Sequence, residues 1–145
     1  MTEVEFHTGV GDKLGFACRL LRKAWRKGVR VAVSGPVPLL AAIDRALWVD
    51  DERDFIPHLR LAPGAALPAS AMRTPIWLID GAVPDGAPGV RINLGAPVPV
   101  DLERCTRIIE VLSTEAEDVQ QGRQRWRDYK ARGLHVVHHG AVPGA

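Results

Sequence analysis

"RVAVSGPVPLLAAIDRALW", residues 30–48, decides the fold class of this 145-residue chain. Its first six residues form a short apolar run that is typical of a buried strand. Two prolines then suit the first turn of a helix, in which Leu39, Ile43 and Leu47 recur at helical spacing. A strand that leads directly into a helix is half of a βαβ unit, so the stretch favours a parallel sheet covered by helices.

The residues before this stretch repeat the same order of elements. Residues 2–9, "TEVEFHTG", alternate apolar and polar side chains and predict a strand. Residues 12–27 carry apolar side chains at helical spacing, and Gly28 follows at the position where helices end. The chain therefore opens as βαβα, which predicts an α/β fold.

The second half of the chain predicts more strands and one more helix. A Pro/Gly-rich loop separates two apolar runs, while 49–70 reads as a long connection with at most one short strand. Thr114 and Glu117 have the spacing of a capping box for a helix that ends before Gly133. The predicted strands are 75–80, 90–95, 107–113 (with a short helix as the alternative) and 134–139, the last as a strand or extended segment.

Length and composition predict one domain over residues 1–145, with a flexible tail at 139–145. The net charge of +2 permits an anionic partner, but a general nucleic-acid binder usually has a larger basic excess. Cys18 and Cys105 form no CxxC motif, so we expect two buried, reduced thiols and a cytoplasmic protein. The apolar runs are too short to span a membrane.

The glycine motif of residues 9–15 invites a nucleotide-binding interpretation. Gly9, Gly11 and Gly15 form GxGxxxG between a predicted strand and a predicted helix. However, the second strand ends in Ser34 and Gly35 rather than in the carboxylate that such a site needs, and no GxxxxGK[ST] loop occurs. A tight turn without a cofactor is the better interpretation.

Three histidines near the C-terminus resemble a metal cluster only at first sight. His138 and His139 are neighbours on a predicted strand, so they point to opposite faces and cannot easily share an ion. No cysteine or carboxylate stands at ligand spacing around these two or around His135. We therefore predict no metal site from these histidines. No nucleophile with a paired base occurs either, so we expect no enzyme activity and no cofactor.

The segment "QGRQRWRDYKARG", residues 121–133, concentrates five basic residues around a tryptophan and a tyrosine. Residues three and four apart share a helical face, so this helix carries a cationic stripe with an indole in it. Such a stripe could cover a core edge, bind phosphate or bind an acidic peptide. The residues of the stripe are Arg123, Trp126, Arg127 and Lys130.

A set of segments resembles one known family over nearly the whole chain. "AWRKGVRV" (24–31), "RALW" followed by "FIPH" (45–48 and 55–58), "RINLG" (91–95) and "GRQRWRDYKARG" (122–133) occur in this order. The order and spacing are similar to those of the chi subunits of bacterial DNA polymerase III. The resemblance is weakest across residues 59–74.

The resemblance implies a three-layer, Rossmann-like α/β sandwich with a largely parallel sheet, and a non-catalytic accessory subunit of the clamp loader. Chi subunits link the psi subunit to the acidic C-terminal tail of single-stranded-DNA-binding protein, and contact DNA only indirectly and membranes not at all. By resemblance, Arg123, Trp126 and Arg127 bind the tail together with Lys130. Trp48 and, by motif order, Phe55 form a wall of the same pocket.

One alternative from another functional class stays open. The glycine-rich turn or the basic helix could bind a nucleotide or a nucleic acid directly. Steep salt dependence of binding to a bare oligonucleotide would distinguish this alternative from binding to a protein tail.

Overall fold

A seven-stranded sheet is the centre of the computed structural model, which describes residues 2–49 and 55–140. Its strands are β1 (Glu3–His7), β2 (Val31–Ser34), β3 (His58–Leu61), β4 (Ile76–Ile79), β5 (Val90–Asn93), β6 (Arg107–Val111) and β7 (His135–His139). They lie in the order β3-β4-β2-β5-β6-β1-β7, and every neighbouring pair is parallel. The segment 107–113 thus contains a strand, and the described part of 49–70 contains one short strand, β3.

Helices cover both faces of the sheet, because side chains of parallel strands alternate between two buried faces. The helices are α1 (Lys13–Arg26), α2 (Val37–Val49) and α3 (Ala116–Ala131), with single 3₁₀ turns at Ala71–Arg73 and Leu102–Arg104. Ile109 belongs to the same apolar core as Leu21 of α1 and Leu40 of α2, whereas the adjacent Ile108 belongs to a second core with Tyr129 of α3. The predicted three-layer, Rossmann-like α/β fold is confirmed, and its sheet is parallel throughout the described residues.

Two glycines end helices where the sequence predicted. Gly28 follows α1 with φ +71°, and Gly133 follows α3 with φ +78°. These left-handed conformations are strained for residues with a Cβ atom. At the start of α1, Asp12 Oδ1 accepts a hydrogen bond from the backbone N–H of Gly15 at 3.0 Å.

The predicted capping box of Thr114 and Glu117 is wrong. Helix α3 has Glu115 at its N-cap, and the side chain of that residue makes no capping bond. Instead, the backbone N–H of Ser113 donates to Asp118 Oδ2 at 2.7 Å, and the N–H of Glu115 donates to Ser113 Oγ at 3.2 Å. Asp118 Oδ2 also lies 2.7 Å from Lys13 Nζ, so this ion pair holds the carboxylate beside the Ser113 N–H.

The remaining expectations concern cysteines, the tail and the membrane. Cys18 and Cys105 are both buried, and burial raises the pKa of the Cys105 thiol to about 11. His139 is the last residue of β7, and the rest of the predicted tail from residue 141 lies outside the described residues. Across the described ranges, no helix combines the length and the apolar character needed to cross a bilayer.

Candidate functional site

A buried polar network determines which face of α3 points outward. The carboxylate of Glu110 accepts hydrogen bonds from Arg125 Nε at 2.9 Å, Tyr129 Oη at 2.8 Å and Asn93 Nδ2 at 2.8 Å. Burial raises the pKa of Glu110, and the charge of Arg125 and the three donors counteract it. Because Arg125 and Tyr129 are held inward, the side chains on the other side of α3 face solvent.

The same helix lies very close to the sheet. Gly122 faces Leu112, and a Cβ atom at Gly122 would collide with the Leu112 side chain. A residue without a side chain is therefore what allows this close approach. The approach leaves a cleft between the first half of α3 and the carboxyl ends of β1, β6 and β7.

The outward face of α3 carries the predicted basic stripe. Arg123, Arg127 and Lys130 are exposed, and Trp126 is half-buried between them and the sheet. Lys130 Nζ lies 5.7 Å from the centre of the Trp126 ring, within cation–π range. Within the described ranges, Arg123 and Arg127 have no carboxylate within ion-pair distance, so their charges are available to a partner.

Trp126 forms part of the wall of the cleft beside the stripe. Its ring packs edge-on against Phe6 with centroids 5.1 Å apart, and the His138 ring is also edge-on to it, with centroids 6.1 Å apart. His138 Nε2 is 2.7 Å from Thr8 Oγ1, which holds the imidazole at the rim. The cleft has a volume of about 420 Å³ and is lined by Phe6, Thr8, Leu112, Val119, Gly122, Arg123, Trp126 and His138. We call it the α3 cleft.

The α3 cleft combines an apolar floor with cations at its rim. Aromatic and aliphatic side chains can pack against a planar ring, and a guanidinium forms strong paired hydrogen bonds with a carboxylate. Arg123 lines the cleft itself, whereas Arg127 and Lys130 follow one and two helical turns further along α3. The arrangement suits a ligand with a ring next to a carboxylate and more acidic groups beyond.

Trp48 and Phe55 lie at a different place. Their rings contact each other at 5.0 Å, and Trp48 also contacts His58 of β3 at 5.4 Å. His58 is held by Asp44 of α2, whose Oδ1 lies 2.8 Å from its Nε2. Both aromatic residues are prominent on the surface, with 58% of Trp48 and 50% of Phe55 exposed. We call this group the aromatic edge patch.

The structure does not bring the aromatic edge patch to the α3 cleft. The patch belongs to α2 and the edge strand β3, whereas α3 covers the opposite face near β1 and β7. The six spacings between β3 and β7 amount to roughly 29 Å at about 4.8 Å each. The strand order thus places Trp48 and Phe55 at the far edge of the sheet, so they do not line one pocket with Trp126 as the resemblance implied.

The glycine-rich turn offers poor surroundings for a phosphate. The N-terminus of α1 is already capped by the Asp12 carboxylate, and Glu115, Glu117 and Asp118 border the same hollow. Lys13 is held by Asp118 and by the carbonyl oxygen of Leu94 at 2.9 Å. Negative charge at a helix N-terminus competes with an anionic ligand.

Sequence reasoning missed several residues of the cleft. Phe6, Thr8 and His138 meet because β7 pairs with β1, in a register that places Phe6 beside His138. The alternation along 134–139 indicates which histidines share a face, but nothing in it indicates the neighbouring strand. Glu110 is the one acidic residue of the apolar run 107–113. A carboxylate in such a run indicates a buried charge that needs a partner, but the sequence does not say that Arg125 is this partner.

Comparisons with known proteins agree on one family. Residues 1–137 match the family model described as "DNA polymerase III chi subunit, HolC". The chain is 28% identical over 144 residues to a DNA polymerase III subunit chi of Pseudomonas aeruginosa, with 96% of both chains covered. It is 29% identical over 124 residues to a DNA polymerase III subunit chi of Haemophilus influenzae, covering 83% of this chain and 81% of that one.

Proposed function

This chain belongs to the family of DNA polymerase III chi subunits, and we propose that it links the clamp loader to the acidic C-terminal tail of single-stranded-DNA-binding protein. Membership makes it an accessory subunit of DNA polymerase III in DNA replication. The tail and the clamp-loader protein psi are the partners that the proposal adds. The protein acts by binding and catalyses no reaction.

The observation that carries the proposal is the pairing of the α3 cleft with unpaired cations. The terminal aromatic ring of the tail enters the cleft and packs against Trp126 and Phe6. Arg123 binds the terminal carboxylate at the rim of the cleft. Arg127 and Lys130 attract the acidic residues that precede the ring, because they continue the stripe along α3.

A second surface is needed for a link, and the aromatic edge patch supports one. Exposed tryptophan and phenylalanine side chains in mutual contact are typical of a protein-binding centre. The patch lies on the other face of the sheet, so a protein bound there leaves the α3 cleft open. We assign this surface to psi where the organism has one.

Direct nucleotide or nucleic-acid binding is the competing function. The carboxylates of Asp12, Glu115 and Glu117 around the start of α1 disfavour a phosphate there. The basic stripe could still attract a nucleic-acid backbone, and a bare oligonucleotide therefore belongs in the test. A phosphate binder would show a steep loss of affinity as salt is added.

Fluorescence anisotropy with a labelled acidic peptide that ends in a free aromatic carboxylate tests the proposal. We expect saturable binding, and Arg127→Glu should weaken it at least about tenfold, because losing a charge-assisted contact costs about 1.5–3 kcal/mol. Amidating the C-terminus of the peptide should weaken binding by a similar factor. Trp126→Ala should also weaken binding, with less dependence on salt.

A matched variant separates local effects from general charge effects. Arg19→Glu makes the same charge reversal at an exposed position of α1, on the opposite face of the sheet, and should bind the peptide normally. Circular dichroism must show each variant folded. Equal affinity of the wild type and Arg127→Glu, or tighter binding of an oligonucleotide than of the peptide, would refute tail binding at the α3 cleft.

A further inference from the structure

Three side chains with metal-binding atoms meet on the face of the sheet opposite the α3 cleft. Glu5 and His7 stand two residues apart on β1, so they share a face, and His139 is the partner of His7 on β7. The rings of His7 and His139 are stacked with centroids 4.9 Å apart. One ligand atom from each of the three residues lies within 4.8 Å of the others.

The distances are close to those of a zinc site. Bonds of about 2.0–2.1 Å in a tetrahedral zinc complex hold the ligand atoms roughly 3.3 Å apart. Glu5 Oε2 and His7 Nε2 are separated by 3.4 Å, so this pair already has the required spacing. His139 is exposed, and its ligand nitrogen lies within 4.8 Å of the ligand atoms of the other two residues.

We propose that Glu5, His7 and His139 form a binding site for a divalent transition-metal ion of the zinc class. Two imidazoles and one carboxylate are ligands that zinc accepts readily, whereas Mg²⁺ and Ca²⁺ require sites built mainly from oxygen atoms. The three protein ligands leave the fourth position to solvent. The ion connects the edge strand β7 to β1.

The surroundings of the three residues fit this assignment. Arg107 donates to Glu5 Oε1, with its Nε at 3.1 Å, which orients the carboxylate and leaves Oε2 directed at His7. Such outer contacts are usual around metal ligands. The positive charge of Arg107 opposes a bound cation and limits its affinity.

Isothermal titration calorimetry of the full chain with ZnCl₂ tests the site, after removal of any histidine tag and dialysis against a chelator. We expect one zinc ion per chain and a higher melting temperature with zinc, because a ligand that binds only the folded state stabilises it. His139→Ala should weaken binding at least about tenfold, because even the loss of an outer contact costs 10–100-fold in affinity. Cobalt should give a visible absorption spectrum that His139→Ala loses.

His135→Ala is the matched control, since it removes another exposed histidine from the same face of β7 at a position opposite Glu3. This variant should bind zinc like the wild type. Glu5→Gln provides a second test at a ligand on β1. The proposal is overturned if the wild type shows no saturable binding, if His139→Ala binds as tightly as the wild type, or if His135→Ala loses binding.

Discussion

At the scale of single residues, the buried side chain of Arg91 is held by an ion pair with Asp101. This residue is only 4% exposed, and it donates to both carboxylate oxygens of Asp101 at 3.0 and 2.6 Å. Its Nε donates to the carbonyl oxygen of Pro88 at 2.7 Å. The hydrogen bonds and charge of Arg91 outweigh burial and hold the pKa of Asp101 below its ordinary value.

Asp101→Asn should lower the free energy of unfolding by about 1.5–3 kcal/mol at neutral pH, because it leaves the buried charge of Arg91 without its counter-ion. The pKa of Asp101 is lowered by folding, so its contribution is fully present above the ordinary value of about 3.9 and is lost as the pH falls through the lowered value. The difference in the free energy of unfolding between the wild type and Asp101→Asn should therefore become smaller at acidic pH. Urea denaturation of both proteins at neutral and acidic pH measures this difference.

Asp85→Asn is the control for this prediction. The Asp85 side chain is 96% exposed, although it forms an ion pair with Arg104 at 2.8 Å. Exposed pairs contribute little to stability, so this variant should unfold like the wild type. A loss at Asp101 that is independent of pH would show that the ion pair is not its cause.

At the scale of elements, close contact between α3 and the sheet forms the candidate cleft. Gly122 permits the approach, and the network around Glu110 sets the rotation of the helix. The basic stripe faces solvent as a consequence of these inward contacts. The position of the cleft is thus a property of the packing between α3, β1 and β6.

Gly122→Ala should lower the melting temperature by a few degrees. Alanine favours a helix over glycine by about 0.5–1 kcal/mol, but overpacking a core typically costs about 1–3 kcal/mol. The second effect should dominate, because the added Cβ collides with Leu112, which is itself only 4% exposed. Peptide binding should weaken as well, since the cleft changes shape. Thermal denaturation followed by circular dichroism is the measurement.

Gly11→Ala provides the comparison for this helix prediction. A Cβ atom at Gly11 meets no heavy atom within 4 Å, and the backbone there does not have a positive φ. The variant should melt at the wild-type temperature or slightly above it. A stable Gly122→Ala would mean that Leu112 can move aside and that the close approach is not required.

At the scale of the whole molecule, the parallel sheet separates two surfaces. The α3 cleft and the aromatic edge patch lie on opposite faces and near opposite edges. Two partners bound at these surfaces share no contacting residues, so each should bind with the same affinity whether or not the other is present. This separation is what a linking subunit requires.

Variants at the two surfaces should each lose the binding of one partner in a reconstitution with psi and single-stranded-DNA-binding protein. Trp48→Ala should no longer bind psi but should still bind the tail, because it removes an exposed ring from the aromatic edge patch alone. Arg127→Glu should no longer bind the tail but should still bind psi. Size-exclusion chromatography should show a three-protein complex only with the wild type. Loss of both partners in either variant would contradict two independent surfaces.

Patterns between near neighbours in the sequence were enough to predict the helices, the strands and the parallel sheet. The helical spacing along 121–133 predicts the basic stripe on α3, and the βαβα opening predicts the parallel sheet. Both succeed because the periods of helices and strands depend on near neighbours in the chain. The family resemblance also rests on the sequence alone.

Only the tertiary structure decided which residues share a site. Strand order separates Trp48 from Trp126, and the pairing of β7 with β1 places His138 in the α3 cleft and His139 beside His7. The turn before α3 likewise depends on Asp118, which accepts a hydrogen bond from the Ser113 N–H and pairs with Lys13 from a distant part of the chain. Such contacts join residues far apart in sequence, and they form because burial and charge pairing stabilise the assembled molecule rather than any one segment.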